Sequence, residues 1–154
     1  MEVLEAGGAL VINDAYNANP DSMKQALKTL AHLGRGHRTI AVLGEMLELG
    51  DDTVRLHDEI GRLAVRLNIG QLYVVGDGAA PIHHGASLEG SFGGESAHLG
   101  TVEEALAVLQ RTVRPGDAVL LKSSRDAGLR EIAGPLVAHL GEPAEDAPTT
   151  GAEQ

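Results

Sequence analysis

Apolar positions along this chain occur in two kinds of run. The short ones are Ala9-Leu10-Val11-Ile12-Asn13, Thr39 to Leu43, Gln71 to Val75 and Ala118 to Leu121. Each is too short for a helix, apolar at successive positions and carries β-branched residues. They predict buried strands. Between them, apolar residues recur three and four apart. Met23, Ala26, Leu27, Leu30 and Leu33 form one such set. Leu56, Ile60, Leu63, Ala64 and Leu67 form a second, and Val102, Leu106, Leu109 and Val113 a third. Leu129, Ile132, Ala133, Leu136, Val137 and Leu140 form the last. Each set is one face of a helix.

Local signals punctuate the pattern. Asn19 caps the first helix, with Pro20 at its first position and Asp21 in its first turn. Gly34 and Gly36 stop it. Thr101 with Glu104 is a capping box for the third helix. Arg114-Pro115-Gly116-Asp117 is a turn. Pro135 lies inside the last helical pattern and predicts a kink or a late start. Gly78 to Gly100 is rich in Gly, Ser and His with little period, and predicts a short helix, a loop and a minor strand. From Gly141 on come Glu142, Glu145, Asp146, Glu153, two prolines and no basic residue. That stretch predicts a disordered acidic tail over 141–154, leaving 1–140 as one domain.

Strands apolar on both faces, alternating with helices, predict an α/β fold with a mostly parallel sheet flanked by helices. Ligands of such sheets sit beyond the C-terminal strand ends. The loops to inspect are Asp14 to Asn19, Gly44 to Asp52, Gly76 to Pro81 and Lys122 to Asp126.

Composition narrows the function. The chain has 154 residues, 12 basic and 22 acidic, for a net charge of −10. That balance removes any general attraction to nucleic acid or anionic membrane. Aromatics are 2% and Trp is absent, so platforms for stacking bases are not expected. There is no cysteine, hence no disulfide, thiol nucleophile or Cys-ligated zinc. No run reaches the roughly 18 apolar residues of a membrane span. The acidic start Met1-Glu2-Val3-Leu4-Glu5 lacks a signal-peptide core. A cytoplasmic globular protein is expected.

The loop Asp14-Ala15-Tyr16-Asn17-Ala18-Asn19-Pro20 concentrates polar groups at a strand end. An Asp there can accept two ribose hydroxyls; a Tyr and amides can meet a base edge or a phosphate. Capping chemistry competes: Asn19 as cap, Asp14 in an Asx-turn, Tyr16 packed on the surface. Asn19 fits the cap, whereas Asp14, Tyr16 and Asn17 together favour a binding role. Lys122-Ser123-Ser124-Arg125 offers backbone N–H groups, hydroxyls and two cations, a set suited to an anion. On spacing alone, solvated Lys122 and Arg125 with Ser124 as an N-cap is the favoured reading. Gly44-Glu45-Met46-Leu47-Glu48-Leu49-Gly50 carries two carboxylates and otherwise reads as a surface turn. His57 reads as a surface or capping residue. His83, His84 and His98 read as solvated rather than as zinc ligands. No lysine follows a glycine, so there is no Walker A loop, and no GxGxxG follows a strand.

Val11-Ile12-Asn13-Asp14-Ala15-Tyr16-Asn17-Ala18-Asn19-Pro20-Asp21-Ser22-Met23 closely resembles the signature that opens the C-terminal domain of the D-alanyl-D-alanine-adding Mur ligases. Ala41 to Gly50 resembles the family's second motif, with Glu45 where Asp is usual. His57 and Gly61 fit the helix that follows. Leu121-Lys122-Ser123-Ser124-Arg125 resembles its Lys-Gly-Ser-Arg motif, with Ser123 in place of Gly. A serine there is unstrained only if the backbone avoids positive φ. The resemblance runs from the N-terminus to about Leu140.

The resemblance implies a Rossmann-like lid, the third domain of an ATP-dependent ligase. Such enzymes make an acyl phosphate on UDP-MurNAc-tripeptide, which the D-Ala-D-Ala amine attacks to give the pentapeptide precursor of peptidoglycan. The UDP-sugar site, the P-loop and the Mg site belong to an N-terminal and a central domain, absent from this chain. By position, Asp14 matches the residue that binds the ATP ribose, with Tyr16 and Asn17 in the same nucleotide-facing loop. Gly44, Glu45 and Met46, with Lys122, Ser124 and Arg125, match segments lining the incoming dipeptide. The family arginine that also contacts the ribose would fall just before Met1. No catalytic or metal-binding residue, no nucleic-acid partner and no membrane insertion are implied for this chain, and the isolated domain is expected to be inactive. The competing reading is a stand-alone nucleotide-binding or regulatory module. The lid of folate-polyglutamate ligases shares the fold, but the Tyr-Asn-Ala-Asn-Pro string argues against it.

Overall fold

The computed structural model describes residues 1–89 and 95–142. Among these residues, six strands lie in one sheet. They are β1 (Glu2–Ala6), β2 (Ala9–Asn13), β3 (Arg38–Leu43), β4 (Gln71–Val75), β5 (Ser96–Leu99) and β6 (Asp117–Lys122). Their spatial order is β1-β2-β6-β3-β4-β5, with every pair parallel except β1 with β2. Four α-helices among the described residues connect strands, α1 (Pro20–Leu33), α2 (Thr53–Arg66), α3 (Ala80–Leu88) and α4 (Val102–Thr112), and α5 (Arg130–Gly141) follows β6.

Alternation along the strands divides the core into two layers. Ile12, Leu43, Leu72 and Leu120 pack with Met23, Leu27, Ile60 and Ile82 of α1, α2 and α3. Val11, Val42, Tyr73 and Leu121 pack with Leu109 of α4 and Ile132 and Leu136 of α5. Both sheet faces are covered, which is why the strands read as continuous apolar runs.

The predicted caps form. The Asn19 side chain accepts from the Ser22 N–H at 2.8 Å, and the Ser22 hydroxyl accepts from the Asn19 N–H at 3.0 Å. Thr101 accepts from the Glu104 N–H at 3.1 Å, while the Glu104 carboxylate reaches the Gly100 N–H rather than that of Thr101. The Gly78–Gly100 stretch holds the expected short helix and minor strand, α3 and β5; residues 90–94 lie outside the described residues. The last helix starts at Arg130, five residues before Pro135, and continues past it to Gly141. The expected tail falls, from residue 143 on, outside the described residues.

Two features depart from the sequence pattern. The first is β1, an antiparallel edge strand joined to β2 through Gly7 (φ 58°) and Gly8 (φ 80°). Two adjacent positive-φ residues make the tight turn whose twist suits a hairpin. Glu2 and Glu5 lie within a strand that stays largely exposed, so its apolar signal is weak. The second is the face of α2, which buries His57, Ile60, Gly61, Ala64 and Val65 while Leu56 and Leu63 are only half-buried. The helix turns this way because it meets α3 through glycines. A Cβ on Gly61 would run into the Ile82 carbonyl, and one on Gly85 into the Asp58 backbone.

Candidate functional site

The chain leaves β2 into α1 on one sheet face and leaves β6 into α5 on the other. Adjacent parallel strands whose crossovers diverge in this way open a crevice at their C-terminal ends. The loops after β2, β6 and β3 meet there.

Their main chains are tied together. The Asp14 N–H donates to the Leu121 carbonyl, the Gly44 N–H to the Lys122 carbonyl, and the Ser124 N–H to the Glu45 carbonyl, each at 2.9 Å. Lys122 adds a side-chain link between them. Its ammonium lies 2.8 Å from Asp14 Oδ2 and donates to the Asn17 carbonyl at 2.9 Å. The Lys122 side chain is 4% exposed and that of Asp14 19%. A buried ammonium needs such partners. Lys122 therefore stands behind the first loop as a brace and does not present its charge to solvent. The Asp14 carboxylate serves Lys122 rather than an Asx-turn, and its Oδ1 lies 3.7 Å from the Met1 amine. Asn17 follows local chemistry at its side chain, accepting from the Ala18 N–H at 2.9 Å. Tyr16 is exposed.

Asn17, Ser124 and Arg125 share a cleft of about 290 Å³ with Ala18, Leu47, Glu48 and Asp126. Ser124 is buried, and its hydroxyl has no hydrogen-bond partner among the described residues. Ser124 does occupy the N-cap position that spacing allowed, before the 3-10 turn Arg125–Ala127, but its side chain makes no capping bond. Ser123 does not adopt positive φ, so serine is unstrained where the family motif has glycine. Its Cβ instead lies where Gly44 leaves room: a Cβ on Gly44 would come within 2.7 Å of it. Glu45 points away from the cleft. Its half-buried carboxylate lies over Gly78, where a Cβ would collide with it. Two larger hollows, of about 420 Å³ beside the β1–β2 turn and about 380 Å³ between α1 and α2, hold none of the predicted site residues.

The position of His57 corrects the expectation of a surface or capping residue. The side chain is fully buried and bonds to Met46, itself buried. Nothing periodic marks it, because a histidine on an apolar face gives no signal of its own. Gly78 was not singled out either. Among the described residues no three His, Asp or Glu come together as a metal-holding set, and no helix is long and apolar enough to cross a membrane. These described residues do not fit a magnesium site.

The fold and the three converging loops define an α/β domain with a crevice at the C-terminal strand ends, and comparison assigns the family. The family model for "Mur ligase, glutamate ligase domain" matches residues 1–125, so the chain belongs to the Mur ligase family. It is 47% identical over 146 residues to the UDP-N-acetylmuramoyl-tripeptide--D-alanyl-D-alanine ligase of Mycobacterium leprae, covering 86% of this chain and 28% of that protein. The Bacillus subtilis protein of the same name is 35% identical over 130 residues, covering 84% and 28%. Among solved structures, MurF from Acinetobacter baumannii superposes with a TM-score of 0.76 at 29% identity, covering 89% of this chain and 30% of that one. MurF ligase from Thermotoga maritima, solved with ADP, gives 0.70 at 26%, covering 90% and 30%. The chain thus spans under a third of the length of these relatives. None of them supports the stand-alone module.

Proposed function

We propose that this chain is the lid domain of an ATP-dependent ligase that joins D-Ala-D-Ala to UDP-MurNAc-tripeptide. The observation that carries the reading is the meeting of all three family-like loops at the C-terminal ends of β2, β6 and β3, in a chain 47% identical to a ligase of that name. Asp14 offers its carboxylate to the ATP ribose, with Tyr16 and Asn17 beside the nucleotide. Ser124 and Arg125 face the dipeptide, and the main chain of Gly44, Glu45 and Met46 backs them, with the Glu45 side chain turned away and Met46 buried. Lys122 belongs to the same wall and acts from behind it, holding Asp14 and Asn17 in place.

In this reading ATP converts the tripeptide carboxylate to an acyl phosphate with release of ADP. The dipeptide amine then attacks the acyl carbon and phosphate leaves. The phosphate loop and Mg, which supply most of the transition-state stabilisation in phosphoryl transfer, lie on domains outside this chain. What these residues contribute is position: a shaped surface that orients nucleotide and amine when the domains close. Residues 1–140 act as that lid, and 141–154 as its acidic tail.

The test is phosphate release by the full-length protein with ATP, Mg and UDP-MurNAc-tripeptide. Release should require D-Ala-D-Ala and stay at background for the 154-residue chain alone. Release that ignores the dipeptide, or turnover by the chain alone that disappears in Lys122→Ala, contradicts the reading.

A further inference from the structure

His57 lies in the second turn of α2, and both of its ring nitrogens are committed. Nε2 lies 2.9 Å from the Met46 backbone nitrogen, and Nδ1 lies 2.6 Å from the Thr53 carbonyl oxygen. A backbone N–H can only donate, so Nε2 must carry the lone pair. A carbonyl can only accept, so Nδ1 must carry the hydrogen. Thr53 Oγ1, 3.3 Å from Nδ1, can adapt as an acceptor. The two bonds together define one neutral tautomer and one ring orientation. The side chain is fully buried, and Met46 is 1% exposed. An amide N–H at that depth without an acceptor is costly.

The bond matters because of what holds the neighbouring main chain. The Gly44 N–H is tied to Lys122 and the Glu45 carbonyl to Ser124, both on the β6 side. On the α2 side the Met46 N–H is tied to His57. The segment Gly44–Met46 is strung between these anchors. We propose that His57, as the Nδ1–H tautomer, is a positioning residue that sets the geometry of Gly44–Met46 and so shapes the wall offered to the dipeptide amine substrate. The second half rests on the reading of the site given above; the tautomer and its bond to Met46 do not.

The experiment has two arms. In the 154-residue chain, imidazole ¹⁵N shifts should show His57 Nε2 as the unprotonated nitrogen, and the Met46 amide should exchange slowly. His57→Gln, which keeps an acceptor near the Nε2 position, should retain that protection. His57→Leu should lose it while the amides of β3 and β6 stay protected. A hydrogen on Nε2, or Met46 exchange that is equal in His57→Leu, overturns the proposal; the wild-type shifts decide the matter even if His57→Leu fails to fold. In the full-length protein, His57→Leu should raise KM for D-Ala-D-Ala by about tenfold with KM for ATP unchanged, and His57→Gln should restore most of it. The predicted tautomer with an unchanged dipeptide KM overturns the substrate half alone. Equal increases in both KM values assign His57 a general structural role and overturn positioning.

Discussion

The Lys122 ammonium and the Asp14 carboxylate form a 2.8 Å ion pair across the junction of β2 and β6, joining residues 108 positions apart (122 − 14). The pair connects the end of β6 to the loop after β2, which is the loop proposed to face the ATP ribose. Its neighbours leave Lys122 little water, so each partner depends on the other.

Removing the cation should therefore be costly. Lys122→Met leaves the Asp14 carboxylate and the Asn17 carbonyl without their donor, and should destabilise the chain by roughly 2–3 kcal/mol. Urea denaturation of this variant, Asp14→Asn and the double variant should show coupling of at least about 1 kcal/mol. Additive losses would mean that the pair is incidental.

Two glycine substitutions should have opposite signs. At Gly61 an added methyl meets the Ile82 backbone, which has no room to give. Gly61→Ala should separate α2 from α3 and cost on the order of 2 kcal/mol or more, within the usual range for overpacking. Gly141 is exposed at the end of α5, with nothing near its Cβ position and no positive φ. Gly141→Ala should stabilise by up to about 0.5 kcal/mol through helix propensity. Thermal melts of both variants compare directly, and a stable Gly61→Ala would refute the close helix contact.

Acid should loosen the α3–β5 edge. His83 is half-buried, its Nδ1 lies 2.6 Å from Ser96 Oγ, and its ring stacks on His98 at 6.4 Å. Burial, helped by the positive charge that His98 and His84 can carry, holds its pKa below the ordinary 6.5. Between the folded pKa and 6.5 the unfolded chain binds more protons, so stability rises with pH in that window. The contribution is complete above about 6.5 and is lost as pH falls toward the folded pKa. The denaturation midpoint should drop as pH falls below about 6.5, and less so in His83→Gln. An identical drop in that variant would remove His83 as the cause.

The parallel strands and the amphipathic helices were legible because burial on both faces writes itself directly into apolar period. The edge strand β1 was not, since Glu2 and Glu5 break the run and little of it is buried. Only the Gly7-Gly8 pair signalled the hairpin. At the site, Asp14 and Lys122 could each be singled out, but not their contact. That contact depends on β6 inserting between β2 and β3, an order that no local pattern carries. His57 was misjudged for a related reason. Its partner is a backbone N–H in another loop, and main-chain hydrogen bonds leave no trace in side-chain pattern.

The central claim is that the Asp14 loop faces the ATP ribose in the full-length ligase, and steady-state kinetics of Asp14→Ala in that protein test it most directly. A ribose hydrogen bond is similar in ground and transition states, so its loss should appear mainly in KM. Loss of one charged hydrogen bond, roughly 1.5–3 kcal/mol, corresponds to an increase in KM for ATP of about 10- to 150-fold with kcat little changed. An unchanged KM for ATP, in a variant whose circular dichroism matches the parent, would contradict the account and leave Asp14 as the partner of Lys122 alone.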